Sequence, residues 1–320
     1  MQKYRLVFFG TPPFALPSLE ALVKNPAYQI EAVVTQPDRP TGRGQKAKSS
    51  PVKQMAEGLG LRVLTPERIK NNPEFLEGLK ELAPDLIIVT AYGKILPEEL
   101  LTIPKFGALN IHASFLPRHR GASPIQGAIL AGDKKTGITL MKMVLEVDAG
   151  PILAQSQPIS IEETDTAGSL SERLALLGAE LLSQNLPGYL AGILPQIPQD
   201  NRLATYTKLI KKGDAHINWQ KEASEIAREI RAYNPHPVAF TFWDSPRGRK
   251  KLLLYQAEAK KQTDSLRAGE VVCQDKEILV GTGEGGGVVL IQKLQLEGRR
   301  PLLAPEFIRG QKEFSGSILN

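Results

Sequence analysis

Two polar side chains stand in an otherwise apolar run, Ala108-Leu-Asn-Ile-His-Ala-Ser114, and an acid, Asp148, follows further along the chain. Side chains alternate along an extended segment, so Asn110 and His112 project from one face and Ile111 from the other. An amide and an imidazole side by side can both hydrogen-bond a carbonyl oxygen as it gathers negative charge. A carboxylate within reach can orient the imidazole or pass a proton from an attacking group. The trio comes without a Ser or Cys elbow, so it suits attack by a nucleophile from outside the protein. That chemistry is acyl-type transfer without a covalent enzyme intermediate. Plainer readings exist for each residue. Backbone groups can satisfy an Asn-His pair in a core, and Asp before Ala149-Gly150 is common turn chemistry. The pair's place at the end of a strand, before a long non-helical loop, favours a site.

The elements that must position these groups follow from the hydrophobic pattern. Apolar runs at 4–9, 30–36, 61–66, 85–93 and 108–114 alternate with helical patterns after Gly10-Thr11 and near 51–59 and 73–82. Strands this apolar on both faces predict a mainly parallel sheet covered on two sides, a doubly wound α/β domain. Such sheets bind ligands beyond the carboxyl ends of their strands, where Asn110 and His112 fall. After a helix at about 124–131, two strands are expected around a turn at Asp148-Ala149-Gly150, then a helix over 169–190. Residues 191–215 mix Pro and Gly with polar residues and read as an interdomain linker. A short helix at 222–232 and several short strands with Gly turns predict a small β-barrel. The expected organisation is therefore a domain over 1–190, a linker over 191–215 and a second domain over 216–320.

Composition bounds the function. With 320 residues, 42% hydrophobic and 23% charged, the chain has an ordinary globular balance and length for two domains. Its one cysteine, Cys273, forms no internal disulfide, and with four histidines it makes no thiolate zinc site of the usual spacing. A reducing, cytoplasmic location and no metal are expected. No stretch approaches the roughly 18 apolar residues of a spanning helix, and the N-terminus lacks a signal-peptide pattern, so no membrane is expected. Gly281-Thr-Gly283-Glu-Gly-Gly286 matches a dinucleotide fingerprint, but a strand pattern follows it where a helix is required, so it reads as a hairpin turn. After the first strand, Pro12 and Pro13 supply no N–H to a pyrophosphate, which argues against a nicotinamide enzyme. The net charge is +6, and residues 190–320 carry 20 Lys and Arg against 15 Asp and Glu. Residues 39–53 hold Arg39, Arg43, Lys46, Lys48 and Lys53 and no acid. Basic stretches of this kind are solvated surface or an electrostatic footprint for a polyanion.

The motif Asn110-x-His112, the loop Ser114-Phe-Leu-Pro-Arg118-x-Arg120-Gly-Ala-x-Pro124-Ile and Asp148 resemble the signature of the folate-dependent formyltransferases. Gly10-Thr-Pro-x-Phe-Ala15, Thr35-Gln-Pro-Asp-Arg-Pro-x-Gly-Arg-Gly44, Ala91-Tyr-Gly93 and Tyr233-Asn-Pro235 narrow the resemblance to the branch that formylates methionyl-tRNA. It runs in order from residue 3 to about 300. It implies a Rossmann-like catalytic domain with a C-terminal OB-like, tRNA-binding barrel. It also implies transfer of a formyl group from 10-formyltetrahydrofolate to the α-amine of methionine on initiator tRNA, in translation initiation; no protein partner is implied. By the resemblance, Asn110, His112 and Asp148 match the catalytic trio, and Ser114, Phe115, Leu116 and Pro117 the folate-contacting loop. Tyr92, Ile95 and Leu96, with Val144 and the backbone near Met143–Val147, match the walls of the pterin pocket. The loop carrying Arg39, Arg43, Lys46 and Lys48 matches one that enters the tRNA acceptor stem. Lys208, Lys211, Lys212, Arg247 and Arg249, with Lys250 and Lys251, would continue a cationic path to the tRNA body. Two positions depart from the family pattern: His119 stands where Trp or Tyr is usual, and Pro13 where an acid is usual. His119 is expected to be a solvated loop residue.

Three other functions share parts of this pattern. A formyltetrahydrofolate hydrolase would use a similar trio with water as nucleophile, but needs no basic loop. A sugar-nucleotide N-formyltransferase would differ in its appended domain. A non-catalytic RNA-binding protein would explain the charge and leave Asn110, His112 and Asp148 without a role.

Overall fold

The computed structural model describes residues 3–41, 46–261, 266–283 and 287–320. The chain divides into two compact units: residues 1–124, 135–160 and 171–208 form the first, and residues 125–134, 161–170 and 209–320 the second. The segment expected as a linker is thus shared, with 191–208 in the first unit and 209–215 in the second.

The first unit is built on a seven-stranded sheet. Its strands are β1 (Tyr4–Gly10), β2 (Tyr28–Val34), β3 (Val63–Leu64), β4 (Leu86–Thr90), β5 (Ala108–His112), β6 (Thr139–Lys142) and β7 (Ile152–Gln155), in the order β7-β6-β5-β4-β1-β2-β3. The first five run parallel, and β6 is antiparallel to both its neighbours, β5 and β7. Leu6–Phe9 of β1 and Leu86–Val89 of β4 are buried on both faces, the result of strands without a polar side. Between the strands lie α1 (Leu16–Lys24), α2 (Pro51–Gly58), α3 (Pro73–Glu81) and the short α4 (Glu98–Leu101). Ser50 and Asn72 cap α2 and α3, accepting from the amides of Lys53 at 3.0 Å and Phe75 at 3.1 Å, each with Pro at the first turn. On one sheet face Val7, Phe9, Val34, Ile87 and Val89 pack with Leu79 of α3 and Leu100 of α4. Full burial of one such leucine contributes about 1.5–3 kcal/mol.

The strand order matters for function. The chain runs outward from β1 through β2 and β3, then crosses to β4 and β5 on the other side, so the order reverses between β1 and β4. A crevice at the carboxyl ends of such a reversal is where open α/β sheets hold ligands. Further along come α5 (Pro124–Leu130) and α6 (Ala167–Leu190). A Cβ added to Gly178 of α6 would stand 2.9 Å from Ile111 Cγ2, so Ile111 points at the helix. Asn110 and His112 therefore leave β5 on the opposite face.

The second unit holds α7 (Ala223–Ala232), α8 (Ala304–Gly310) and an antiparallel sheet of β8 (Ala239–Ser245), β9 (Gly248–Lys260), β10 (Val271–Gln274), β11 (Glu277–Gly281), β12 (Val288–Leu296) and β13 (Leu302–Leu303). Its order is β8-β9-β12-β11-β10, with β13 beside β12. Residues 316–320 join its two outer strands. Phe242 and Asn320 exchange hydrogen bonds of 2.8 and 3.0 Å, and Val271 bonds the backbone of Ser317 at 2.9 Å and Gly316 at 2.8 Å. This closure is compatible with the expected OB-like barrel. The Gly281–Gly286 run begins at the last residue of β11, and the next described element is the antiparallel strand β12, not a helix; residues 284–286 lie outside the described residues.

Candidate functional site

The register of β5 places Asn110 between Val89 of β4 and Met141 of β6, and His112 beside Thr139. Both side chains meet Asp148. Asn110 Nδ2 donates to Asp148 Oδ1 at 3.2 Å, and His112 Nδ1 stands 3.6 Å from Asp148 Oδ2. The three residues singled out in the sequence come together in one cluster.

His112 is buried, and its Nε2 lies 3.0 Å from the carbonyl oxygen of His119. A carbonyl only accepts, so Nε2 carries the hydrogen and Nδ1 is the nitrogen that faces the carboxylate. Burial pulls the imidazole pKa below its ordinary value, against the opposing pull of the Asp148 charge and the His119 carbonyl. The resting ring is neutral at pH 7, with a lone pair on Nδ1.

Asp148 holds φ 52°, a left-handed conformation that Asp and Asn tolerate better than other side chains. The strain costs about 1–3 kcal/mol. Its carboxylate accepts from the Gly121 amide at 2.8 Å as well as from Asn110. Each hydrogen bond to a charged group contributes about 1.5–3 kcal/mol, enough together to hold the turn.

The loop after β5 is tied from two sides. Thr139 Oγ1 donates to the Ser114 carbonyl at 2.7 Å and accepts from the Leu116 amide at 3.1 Å, while Gln155 Nε2 donates to the Leu116 carbonyl at 3.0 Å. From the other side, Thr205 Oγ1 accepts from the His119 amide at 2.8 Å, and Arg120–Gly121 pairs in parallel with Tyr206–Thr207. Gly121 sits at φ 111°, and a Cβ there would run into the Thr207 carbonyl, so glycine is required. His119 is buried at φ 60°, which corrects the expectation of a solvated loop residue. Its amide is held by Thr205 and its carbonyl by His112, so the backbone is turned inward.

The residues matched to a folate pocket separate by exposure. Ser114, Leu116, Tyr92 and Leu96 are buried, and Phe115 and Pro117 half-buried. Ser114 Oγ donates to the Arg118 carbonyl at 2.6 Å. Ile95 is 72% exposed and Val144 40%, and beside Val144 stand Leu145 at 60% and Val147 at 48%. Large apolar side chains left in water on loops next to β4 and β6 mark a surface that a ligand can cover. The Tyr92 ring packs edge-on against Phe9 at 5.2 Å, and burial pushes its phenol pKa well up. Its carbonyl accepts from Thr11 Oγ1 at 3.1 Å and Gln36 Nε2 at 2.8 Å. These bonds give the Gly10-Thr, Thr35-Gln and Ala91-Tyr-Gly motifs a shared purpose, tying the ends of β1, β2 and β4.

Of the basic residues, Arg39 and Lys48 are exposed on a short ribbon, Arg39–Thr41 against Lys46–Lys48. Arg43 lies outside the described residues, as does the side chain of Lys46. Lys53 pairs with Asp38 at 2.8 Å, so an acid just outside the basic stretch neutralises it. Lys208, Lys211, Lys212 and Arg247 are exposed. Arg249 is exposed too, its guanidinium 4.4 Å over the Phe242 ring, and Lys251 Nζ lies 3.8 Å over Phe240. The aromatic partners escaped sequence reasoning, although their alternation along β8 was visible. Gly121, the His119 carbonyl and residues 199–207 were also missed as parts of the site. Among the described residues no group of three His, Cys, Asp or Glu could hold a metal ion. No described helix is long and apolar enough to cross a membrane.

The chain belongs to the formyl transferase family. The family described as "Formyl transferase" matches residues 4–186, and "Formyl transferase, C-terminal domain" matches residues 209–312. Relatives named methionyl-tRNA formyltransferase include that of Caldanaerobacter subterraneus subsp. tengcongensis, 45% identical over 98% of this chain and 99% of its own. That of Methylococcus capsulatus is 45% identical over 95% of this chain and 96% of its own. Among solved structures, HypX from Aquifex aeolicus in complex with tetrahydrofolic acid superposes with TM-score 0.64 at 18% identity, over 98% of this chain and 48% of that one. The sugar 3N-formyl transferase WlaRD superposes with TM-score 0.65 at 18% identity, over 94% of this chain and 100% of that one. At these identities the two structures show the fold alone.

Proposed function

We propose that this enzyme transfers the formyl group of 10-formyltetrahydrofolate to the α-amino group of methionine on initiator tRNA, with Asn110, His112 and Asp148 as its catalytic residues. The observation that carries this reading is the convergence of the trio, with Asp148 Oδ1 at 3.2 Å from Asn110 and Oδ2 at 3.6 Å from His112. The names of relatives that match the whole chain support the choice of substrate.

The formyl donor supplies a carbonyl carbon and a leaving nitrogen. Asn110 Nδ2 carries two hydrogens; one is directed at Asp148 and the second serves the carbonyl oxygen as it becomes an oxyanion. Asp148 accepts the proton that the attacking amine loses when the new C–N bond forms. That proton returns to the departing tetrahydrofolate nitrogen as the old C–N bond breaks. Between those two events His112 holds the same proton on Nδ1, where the Asp148 charge stabilises the imidazolium and the Nδ1–H is shared with the oxyanion, while its Nε2–H stays on the His119 carbonyl. The exposed apolar side chains of Ile95, Val144, Leu145 and Val147 fit a flat pterin ring, and Phe115 and Pro117 border the same loops. Ser114 contributes through its backbone, because its hydroxyl is engaged with Arg118.

Arg39, Arg43, Lys46 and Lys48 would place the tRNA acceptor end, and Lys208, Lys211, Lys212, Arg247 and Arg249 would hold phosphates further along. The second unit is then the OB-like tRNA-binding domain, and the site of action is the cytoplasm, where initiator tRNA is charged. Release of tetrahydrofolate measured with and without methionyl-tRNA tests the reading. Release that depends on charged tRNA supports it; equal release without tRNA marks a hydrolase.

A further inference from the structure

We propose that Gln199 is a positioning residue for Asp148, and that this part of the 191–208 segment belongs to the reaction's machinery; the proposal rests on the function assigned above. Gln199 falls between the two family matches, which end at residue 186 and resume at 209. Its side chain nevertheless reaches the turn that carries Asp148. Nε2 donates to the Asp148 carbonyl at 2.8 Å and to the Gly150 carbonyl at 2.7 Å. Oε1 accepts from Arg120 Nε at 3.0 Å and Nη2 at 2.8 Å. Both hydrogens and the oxygen of the amide are thus engaged.

Each end of this bridge is fixed by something else. Arg120 is fully buried, and its Nη2 also donates to Asn201 Oδ1 at 2.8 Å. Two cationic N–H groups on Oε1 polarise the amide and strengthen the bonds made by Nε2. At the other end, a Cβ on Gly150 would run into the Lys142 carbonyl, so the turn closes tightly against β6. Gln199 spans Asp148 and Gly150 at the point where Asp148 adopts φ 52°. Strained conformations of this kind persist only where the surroundings over-determine them.

Three successive residues of the loop then serve the catalytic pair. The His119 carbonyl accepts from His112, the Arg120 side chain acts through Gln199 on the Asp148 backbone, and the Gly121 amide donates to the Asp148 carboxylate. Gln199 sets the main chain of Asp148 and Gly121 sets its carboxylate. Without Gln199 the carboxylate would remain bonded but the turn that aims it would relax.

A double-mutant cycle on the full-length protein tests this. Formyl transfer from 10-formyltetrahydrofolate to methionyl-tRNA is measured for wild type, Gln199→Ala, Asp148→Asn and the double variant, with melting temperatures alongside. Gln199→Ala is expected to lower kcat about 10- to 100-fold with KM for both substrates within about twofold. It should add little to the loss already caused by Asp148→Asn, because the two act on one group. Gln199→Glu keeps the acceptor for Arg120 but turns an oxygen toward the two carbonyls, and should fail as Gln199→Ala does. Should Gln199→Ala not fold, Gln199→Met, similar in length and without a donor, carries the cycle. Wild-type kcat in the Gln199 variants, or losses that multiply in the double variant, would overturn the proposal while leaving the function intact. A wild type that transfers no formyl to methionyl-tRNA overturns both.

Discussion

The amide of Gly121 donates a 2.8 Å hydrogen bond to Asp148 Oδ2, and both residues hold positive φ, 111° and 52°. Two turns, one after β5 and one after β6, therefore meet backbone to side chain at the carboxylate. The bond is strong because the acceptor is charged. It is specific because no other residue fits at Gly121 against the Thr207 carbonyl. Gly121→Ala is expected to lower kcat at least tenfold, since strain and collision both push the amide away from Asp148. Steady-state kinetics with methionyl-tRNA checks this, and near-normal kcat would mean that the bond does not aim the acid.

Asp148→Asn separates charge from shape. Asn tolerates the left-handed turn, so the backbone is preserved and only the carboxylate is lost. Its amide nitrogen would face either the Asn110 donor or the Gly121 amide in place of an acceptor. Formyl transfer should fall by a hundredfold or more and lose its pH dependence. A mild effect with an unchanged pH-rate profile would reduce Asp148 to a turn residue.

Asn110→Ala and His112→Ala should each lower turnover about a hundredfold or more, with tRNA affinity nearly unchanged, because their bonds strengthen only as the oxyanion forms. Rates and binding measured on the same preparations decide it. Weaker tRNA binding at normal kcat would place these side chains in substrate recognition.

Burial of neutral His112 couples stability to pH. The unfolded chain takes up its proton near the ordinary value of about 6.5, whereas the folded pKa is lower. The histidine's contribution is therefore fully present above about pH 6.5 and declines as pH falls toward the folded value, by up to about 1.4 kcal/mol per pH unit. His112→Asn should flatten the fall in urea-unfolding stability between about pH 7 and 5 relative to wild type. Parallel curves for the two proteins would show that the ring titrates alike in both states.

Much of this arrangement was legible in the sequence. Period-two spacing put Asn110 and His112 on one face, and the doubly apolar runs gave the parallel strands their order of appearance. What escaped were bonds made across long separations. Thr205 reaches His119, and Gln199 reaches Asp148, from a segment whose composition reads as a linker because its bonds leave no periodic trace. His119 looked like a surface loop residue because local polarity says nothing of a backbone turned inward by Thr205 and His112. The placement of 125–134 and 161–170 in the second unit had no sequence signal for the same reason.

Charge and chemistry should separate in the basic segments. Arg249 is held over Phe242 on the second unit, and Arg43 stands between two glycines in the 39–53 stretch. Arg43→Ala or Arg249→Ala should each lower the slope of log affinity for tRNA against log salt by about one unit for every phosphate no longer neutralised. Both variants should spare any slow release of tetrahydrofolate in the absence of tRNA. Unchanged salt slopes would remove these residues from the tRNA surface.

The most direct test of the catalytic assignment is a single-turnover experiment with formyl-labelled 10-formyltetrahydrofolate and methionyl-tRNA, comparing wild type with Asp148→Asn. In the wild type, label should appear on the methionine amine as tetrahydrofolate is released in equal amount, and uncharged tRNA should support neither. In Asp148→Asn both should slow by a hundredfold or more while tRNA binding persists. Label transfer at the wild-type rate in Asp148→Asn, or release of tetrahydrofolate at that rate without methionyl-tRNA, would contradict it.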